Sequence, residues 1–129
     1  MKTLFHLALL AVFLFALSLA APAQTRVTFA RGATSKIVSG KMSGYRSQRT
    51  YVIRVRRGQT LRVEATDDSN AVSIWIEAPN GEDASDAEAN CNSRKRVSPT
   101  MSGDYKISVS ECQKVDEWRG IYKIRFSVR

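Results

Sequence analysis

Histidine is almost absent. The single one, His6, lies in an apolar N-terminal segment that reads as a leader. Met1 and Lys2 start it, Leu7 to Leu17 is an unbroken apolar run, and Ala21-Pro22-Ala23 places small residues at minus three and minus one before Gln24. Cleavage after Ala23 removes the only imidazole. That excludes Ser-His-Asp and Cys-His nucleophile activation and every His-ligated zinc site. Long apolar runs are missing too. A spanning helix needs about 20 apolar residues, and no stretch after Ala23 approaches that, so no membrane span is expected once the leader is gone. Cysteine occurs twice and never at position 24, so the processed N-terminus offers no thiol for lipid attachment. The serines stand in no Ser-x-x-Lys or Gly-x-Ser-x-Gly setting. The expectation is a non-enzymatic protein with no cofactor.

The leader spans residues 1–23 and the single remaining domain residues 24–129, which is 106 of the 129 residues. With Lys2 removed, 19 basic side chains face 12 acidic ones, a formal charge of +7. A chain this long buries somewhat over 60% of its unfolded surface, enough for one modest core. Export to the periplasm or the medium follows from the leader. In an oxidising compartment the two thiols, Cys91 and Cys112, are expected to pair. Such a bridge closes a loop of roughly 20 residues and contributes on the order of 3 kcal/mol.

From Gln24 onward the apolar period is two. Tyr122 to Arg129 alternates throughout; Tyr105, Ile107 and Val109 alternate with Lys106 and Ser108. Tyr51, Ile53 and Val55 behave likewise, as do Leu61, Val63 and Ala65. Shorter candidates are Arg26 to Ala30, Lys36 to Met42, Val72 to Ala78 and Arg94 to Val97. Gly-containing turns at Arg57-Gly58, Asn80-Gly81, Ser102-Gly103 and Arg119-Gly120 separate the runs and suggest hairpins. The pattern predicts an all-β fold, an antiparallel β-sandwich or flattened barrel of about seven or eight strands. Glu82 to Ala89 interrupts it as a loop.

Four features are candidates for function. The acidic loop Glu82, Asp83, Asp86 and Glu88 has the most metal-like composition, but its spacing matches no EF-hand, so it reads as a solvated loop and no metal is expected. The basic excess falls on the polar side of the strands at Arg54, Arg56, Arg62, Lys106, Lys123, Arg125 and Arg129. In an exported protein this charge disfavours nucleic acid and allows an anionic cell-envelope glycan as partner, with Trp75, Arg54, Arg56 and Arg62 as its face. Lys and Arg on outward strand faces also keep sheets soluble. Trp75 stands opposite the apolar positions Val72, Ile74 and Ile76, either as an anchor or under a loop. Trp118 falls in the polar stretch before the last strand, packed over the sandwich end or exposed.

A run of short motifs adds to this reading. Phe29-Ala30-Arg31-Gly32-Ala33-Thr34-Ser35, Ser39-Gly40, Gly44-Tyr45, Thr50-Tyr51, Arg57-Gly58-Gln59, Pro79, Ser102-Gly103-Asp104-Tyr105 and Tyr122 follow one another through nearly all of the processed chain. In order and spacing they resemble the bacterial periplasmic inhibitors of g-type lysozyme. Several also resemble the wider group of secreted pre-peptidase C-terminal-like β-sandwiches. The resemblance implies an exported β-sandwich that occludes a g-type lysozyme cleft and protects peptidoglycan. It further implies a contact surface built on an aromatic after a glycine and on basic residues near the last turn. Here those are Tyr45 and Arg46, then Lys114, Trp118 and Arg119. Lys114 lacks the planar fork of arginine, and the Cys91 and Cys112 pair departs from the relatives.

Overall fold

The structure is a computed structural model that describes residues 23–66, 72–85, 91, 93–112 and 116–129. Eight strands run in chain order: β1 (Gln24–Val27), β2 (Ser35–Ser43), β3 (Gln48–Val55), β4 (Leu61–Ala65), β5 (Val72–Glu77), β6 (Arg94–Val97), β7 (Gly103–Glu111) and β8 (Arg119–Val128). They form two four-stranded sheets, ordered β1-β3-β7-β5 and β2-β8-β4-β6, and the described residues contain no helix. The expected all-β sandwich is therefore what the chain builds. No helix among the described residues is long and apolar enough to cross a membrane.

Every odd-numbered strand lies in the first sheet and every even-numbered strand in the second. Each connection therefore arches from one sheet to the other, and no two consecutive strands pair. None of the turns joins two of the eight strands as a hairpin; at Asn80-Gly81 the chain does double back, but only through an isolated antiparallel bridge between Glu77 and Asp83. A Gly-containing turn marks where a strand stops, but reversal within a sheet and crossing to the facing sheet use similar local chemistry. All pairings are antiparallel except β1 on β3, which is parallel. Arg119-Gly120, read as a turn, instead begins β8, pairing with Ser43 and Met42.

The period-two pattern works as expected along the long strands. Tyr105, Ile107 and Val109 of β7 face Tyr122, Ile124, Phe126 and Val128 of β8 across a single core, joined by Tyr51, Ile53, Leu61, Val63, Ile74 and Ile76. A hydrogen bond crosses that core: the hydroxyls of Tyr51 and Tyr122 lie 2.6 Å apart, linking the sheets at their centres. The Tyr51 ring also tilts against Phe126, with ring centres 5.5 Å apart. Room for Tyr122 comes from Gly40, its register partner on β2. A β-carbon at position 40 would overlap the Tyr122 hydroxyl and ring Cζ and sit 2.8 Å from Cε1. Burial together with the bond to Tyr51 pushes the Tyr122 phenol far above its ordinary value.

Candidate functional site

The cross-sheet topology brings two connections to the same end of the sandwich. One is the Gly44–Ser47 arch between β2 and β3. The other is the segment from Cys112 to Trp118 between β7 and β8, of which residues 113–115 lie outside the described residues. The first closes as a tight turn, with the Ser47 amide donating to the Gly44 carbonyl at 2.9 Å. Gly44 has φ of +118°, a conformation side chains disfavour, and a β-carbon there would collide with the Glu117 carboxylate. That close approach is used. Glu117 accepts from the Tyr45 amide at 3.3 Å and from the Arg119 guanidinium at 3.4 Å, so one carboxylate ties the aromatic turn to the start of β8.

The second connection is fastened at both ends. Cys112 is bonded to Cys91 with their α-carbons 4.9 Å apart, as expected from the cysteine count, and Cys91 in turn donates its amide to Ser73 Oγ at 2.8 Å. Beyond the gap, Glu111 accepts from the Trp118 amide at 3.0 Å. Trp118 is half-buried against the core and folds back over its own strand. The indole leaves no room for a side chain at Gly120, where a β-carbon would sit 2.8 Å from Cζ2. That explains a glycine inside a strand. The result is an exposed rim of Tyr45, Arg46, Glu117 and Arg119 standing on a packed base of Trp118, Glu111 and the disulfide.

Electrostatically the rim is mixed. Loss of hydration comes first, then the carboxylates of Glu111, Glu117 and Asp116, in pushing the Tyr45 phenol above its usual value. At neutral pH Tyr45, like any ordinary phenol, is a neutral hydroxyl that can donate and accept. Glu111 is 3% exposed, and its Oε2 finds no hydrogen-bond partner among the described residues. No set of three or more metal-binding side chains clusters among those residues.

Of the expected contact residues, Tyr45, Arg46, Trp118 and Arg119 converge at this end, and Lys114 lies outside the described residues. Glu111 and Glu117 were missed. The strand period would have found the first, because Glu111 shares the inward face of Tyr105, Ile107 and Val109. Nothing local announces Glu117, whose role depends on the arch from β2.

The residues grouped as a glycan face do not come together. Trp75 is 49% exposed on the outer side of the first sheet, not covered by a loop, above Ser108 and beside the Lys106–Glu77 ion pair. Arg54 lies farther along that sheet, where Asp104 takes a two-toothed hydrogen bond from Arg26 at 3.0 and 3.1 Å and a longer contact from Arg54 at 3.8 Å. Arg26 holds the Asp104 carboxyl below its ordinary range. Arg56 follows β3 at the end of the sandwich remote from Tyr45, and Arg62 belongs to the other sheet. In the acidic loop, Asp83 accepts from the Ser85 amide, and the Glu82 amide donates to Asn80, both ordinary turn bonds. Asp86 and Glu88 lie outside the described residues.

No protein-family model matches the chain, and no curated protein matches it in sequence. Solved structures do. PliG of Aeromonas hydrophila, a periplasmic lysozyme inhibitor of g-type lysozyme, superposes with a TM-score of 0.66 at 22% identity, covering 83% of this chain and 96% of that one. The fold is that of the g-type lysozyme inhibitors. PliG of Salmonella Typhimurium gives 0.60 at 19% identity over 84% of this chain and all of its own. The pre-peptidase C-terminal domain of a Bacillus anthracis collagenase gives 0.53 at 13% identity, covering 84% of this chain and 97% of that one. Both groups named from the sequence motifs therefore share this architecture.

Proposed function

We propose that the chain is an exported, non-enzymatic inhibitor that binds a g-type lysozyme through the Tyr45 end of the sandwich and occludes its cleft. The supporting observation is the clamp made by Glu117. It holds an exposed aromatic turn and an arginine in fixed relation, on a fold similar to that of PliG. Contact by such a rim suits inhibition. A tyrosine on a rigid turn gives large contact area while losing little rotamer freedom, and aromatic and arginine side chains dominate the energetics of protein interfaces. Arg46 and Arg119 supply donors for the acidic groups that glycoside-cleaving sites carry. Glu117, by pairing with Arg119, orients that guanidinium before contact.

The test is turnover of peptidoglycan by a g-type lysozyme in the presence of residues 24–129. Inhibition at micromolar protein or below is expected. Tyr45→Ala and Arg119→Ala should each weaken it by about tenfold or more, the scale of a central interface residue. Full lysozyme activity at micromolar protein would end this reading. Inhibition that survives both substitutions would move the contact surface elsewhere.

A further inference from the structure

The charge of the chain is distributed unequally between its two outer faces. On the first sheet the outward cations have partners: Arg26 and Arg54 share Asp104, and Lys106 meets Glu77. The second sheet is different. Lys41, Arg62, Arg96, Lys123, Arg125 and Arg129 point outward from β2, β4, β6, β8 and the residue after it. Its four strands carry one carboxylate, Glu64, which bonds Arg125 at 3.2 Å. Among the described residues, Lys41, Arg62, Arg96, Lys123 and Arg129 of this face stand in no ion pair, whereas each outward cation of the first sheet does.

Two details sharpen the asymmetry. Arg62 stands directly opposite Arg96 in the β4–β6 register, an arrangement of like charges that destabilises a sheet unless an anion lies between them. These two, with Arg125, Arg129 and Ser127, line an open cleft of about 480 Å³ that also holds Glu64, so four guanidinium groups there face one side-chain carboxylate. Planar guanidinium forks recognise phosphate oxygens in pairs. The same face also carries Ile37, 49% exposed, and Ile121, 66% exposed, on the adjacent strands β2 and β8. Exposed isoleucines gain nothing from a small soluble phosphate. They do gain from the boundary between headgroups and acyl chains.

We propose that the outer face of the second sheet docks on an anionic phospholipid bilayer, with the arginine cleft taking lipid phosphates and Ile37 and Ile121 entering the headgroup boundary. The cleft lies at the end of this sheet away from Tyr45, because β8 begins at Arg119 and closes beside the cleft at Val128 and Arg129. Ile121 stands two residues from Arg119 on the same outer face, so docking and lysozyme contact meet at that edge, and inhibition measured without vesicles keeps the two proposals separately testable.

Residues 24–129, which hold all eight strands, would be sedimented with vesicles of phosphatidylglycerol and phosphatidylcholine in equal parts, and with phosphatidylcholine alone. Binding to the first and not the second is expected, weakening as salt rises. Each cation near such a surface contributes about fivefold in affinity, so Arg62→Gln with Arg96→Gln should reduce binding by more than tenfold. Lysozyme inhibition and thermal stability should not fall. The charge-matched pair Arg54→Gln with Lys106→Gln should reduce vesicle binding much less, and Ile121→Ser should weaken it at every salt concentration. Absent sedimentation at low salt, equal binding to both vesicles, or equal losses from the two charge-matched pairs would overturn the proposal. So would complete displacement by micromolar inorganic pyrophosphate with Ile121→Ser unaffected, which would mark a soluble-phosphate site instead.

Discussion

Removing one hydroxyl of the Tyr51–Tyr122 pair should cost more than removing both. The two oxygens are 2.6 Å apart, and the residues are 4% and 0% exposed, so water cannot replace a lost partner. Tyr122→Phe strands the Tyr51 hydroxyl in the core, at a cost of about 1–3 kcal/mol. Tyr51→Phe does the same to Tyr122. Removing both leaves two apolar rings of nearly unchanged shape, so the double variant should lose no more than the worse single one. The coupling energy between the sites is then about 1–2 kcal/mol. In a domain of this size the single-variant cost of about 1–3 kcal/mol corresponds to a fall of roughly 4–24 °C in Tm. Urea unfolding of all four proteins, with midpoints compared at a common slope, measures it. Losses that simply add would refute the reasoning, because they would mean that each hydroxyl has its own separate partner. The pair also sets an alkaline limit. Unfolded Tyr122 ionises at an ordinary phenol value of about 10, while the folded residue resists. The stabilisation is full below that pH and is lost as pH rises above it. Tyr122→Phe should flatten the decline.

Gly40→Ala, crowding the same tyrosine without any change of backbone class, should lose about 1–3 kcal/mol in the same unfolding assay. Reducing the Cys91–Cys112 bond should lower stability by about 3 kcal/mol, read from the shift in urea midpoint with and without reductant. Asp104, held below the usual carboxyl range by Arg26, contributes stability above its unfolded value that is lost as pH falls through the folded one. An Asp104→Asn variant should therefore show a shallower acid-side decline than the parent when Tm is followed downward from neutral pH.

The strands themselves were legible because one face of each is buried in a single core, which imposes the period of two on Tyr105 to Val109 and Tyr122 to Val128. Even the short β6, Arg94–Val97, could be found from the chain. Strand partners could not. Alternation says which side of a strand is wet, not which strand lies beside it, so the cross-sheet connections and the parallel β1–β3 pair were hidden. The site divides in the same way. Tyr45, Trp118 and Arg119 stand out by residue type and motif, whereas Glu117 matters only because the Gly44 arch happens to close against it. Gly120 misled for a related reason. Its missing side chain accommodates an indole, not a bend, and only the folded geometry distinguishes those needs.

Strand β8 also works as a ruler. It carries Arg119 at its start and Val128 at its end, and it lies in the interior of its sheet, flanked by β2 and β4. At about 3.3 Å per residue its length is roughly 30 Å. Sheet hydrogen bonds on both flanks keep that length from changing. An anion held in the cleft beside Arg129 is thus separated by a fixed stand-off from whatever meets Tyr45, and lengthening or trimming the turn at Gly44 would alter the grip without altering the reach.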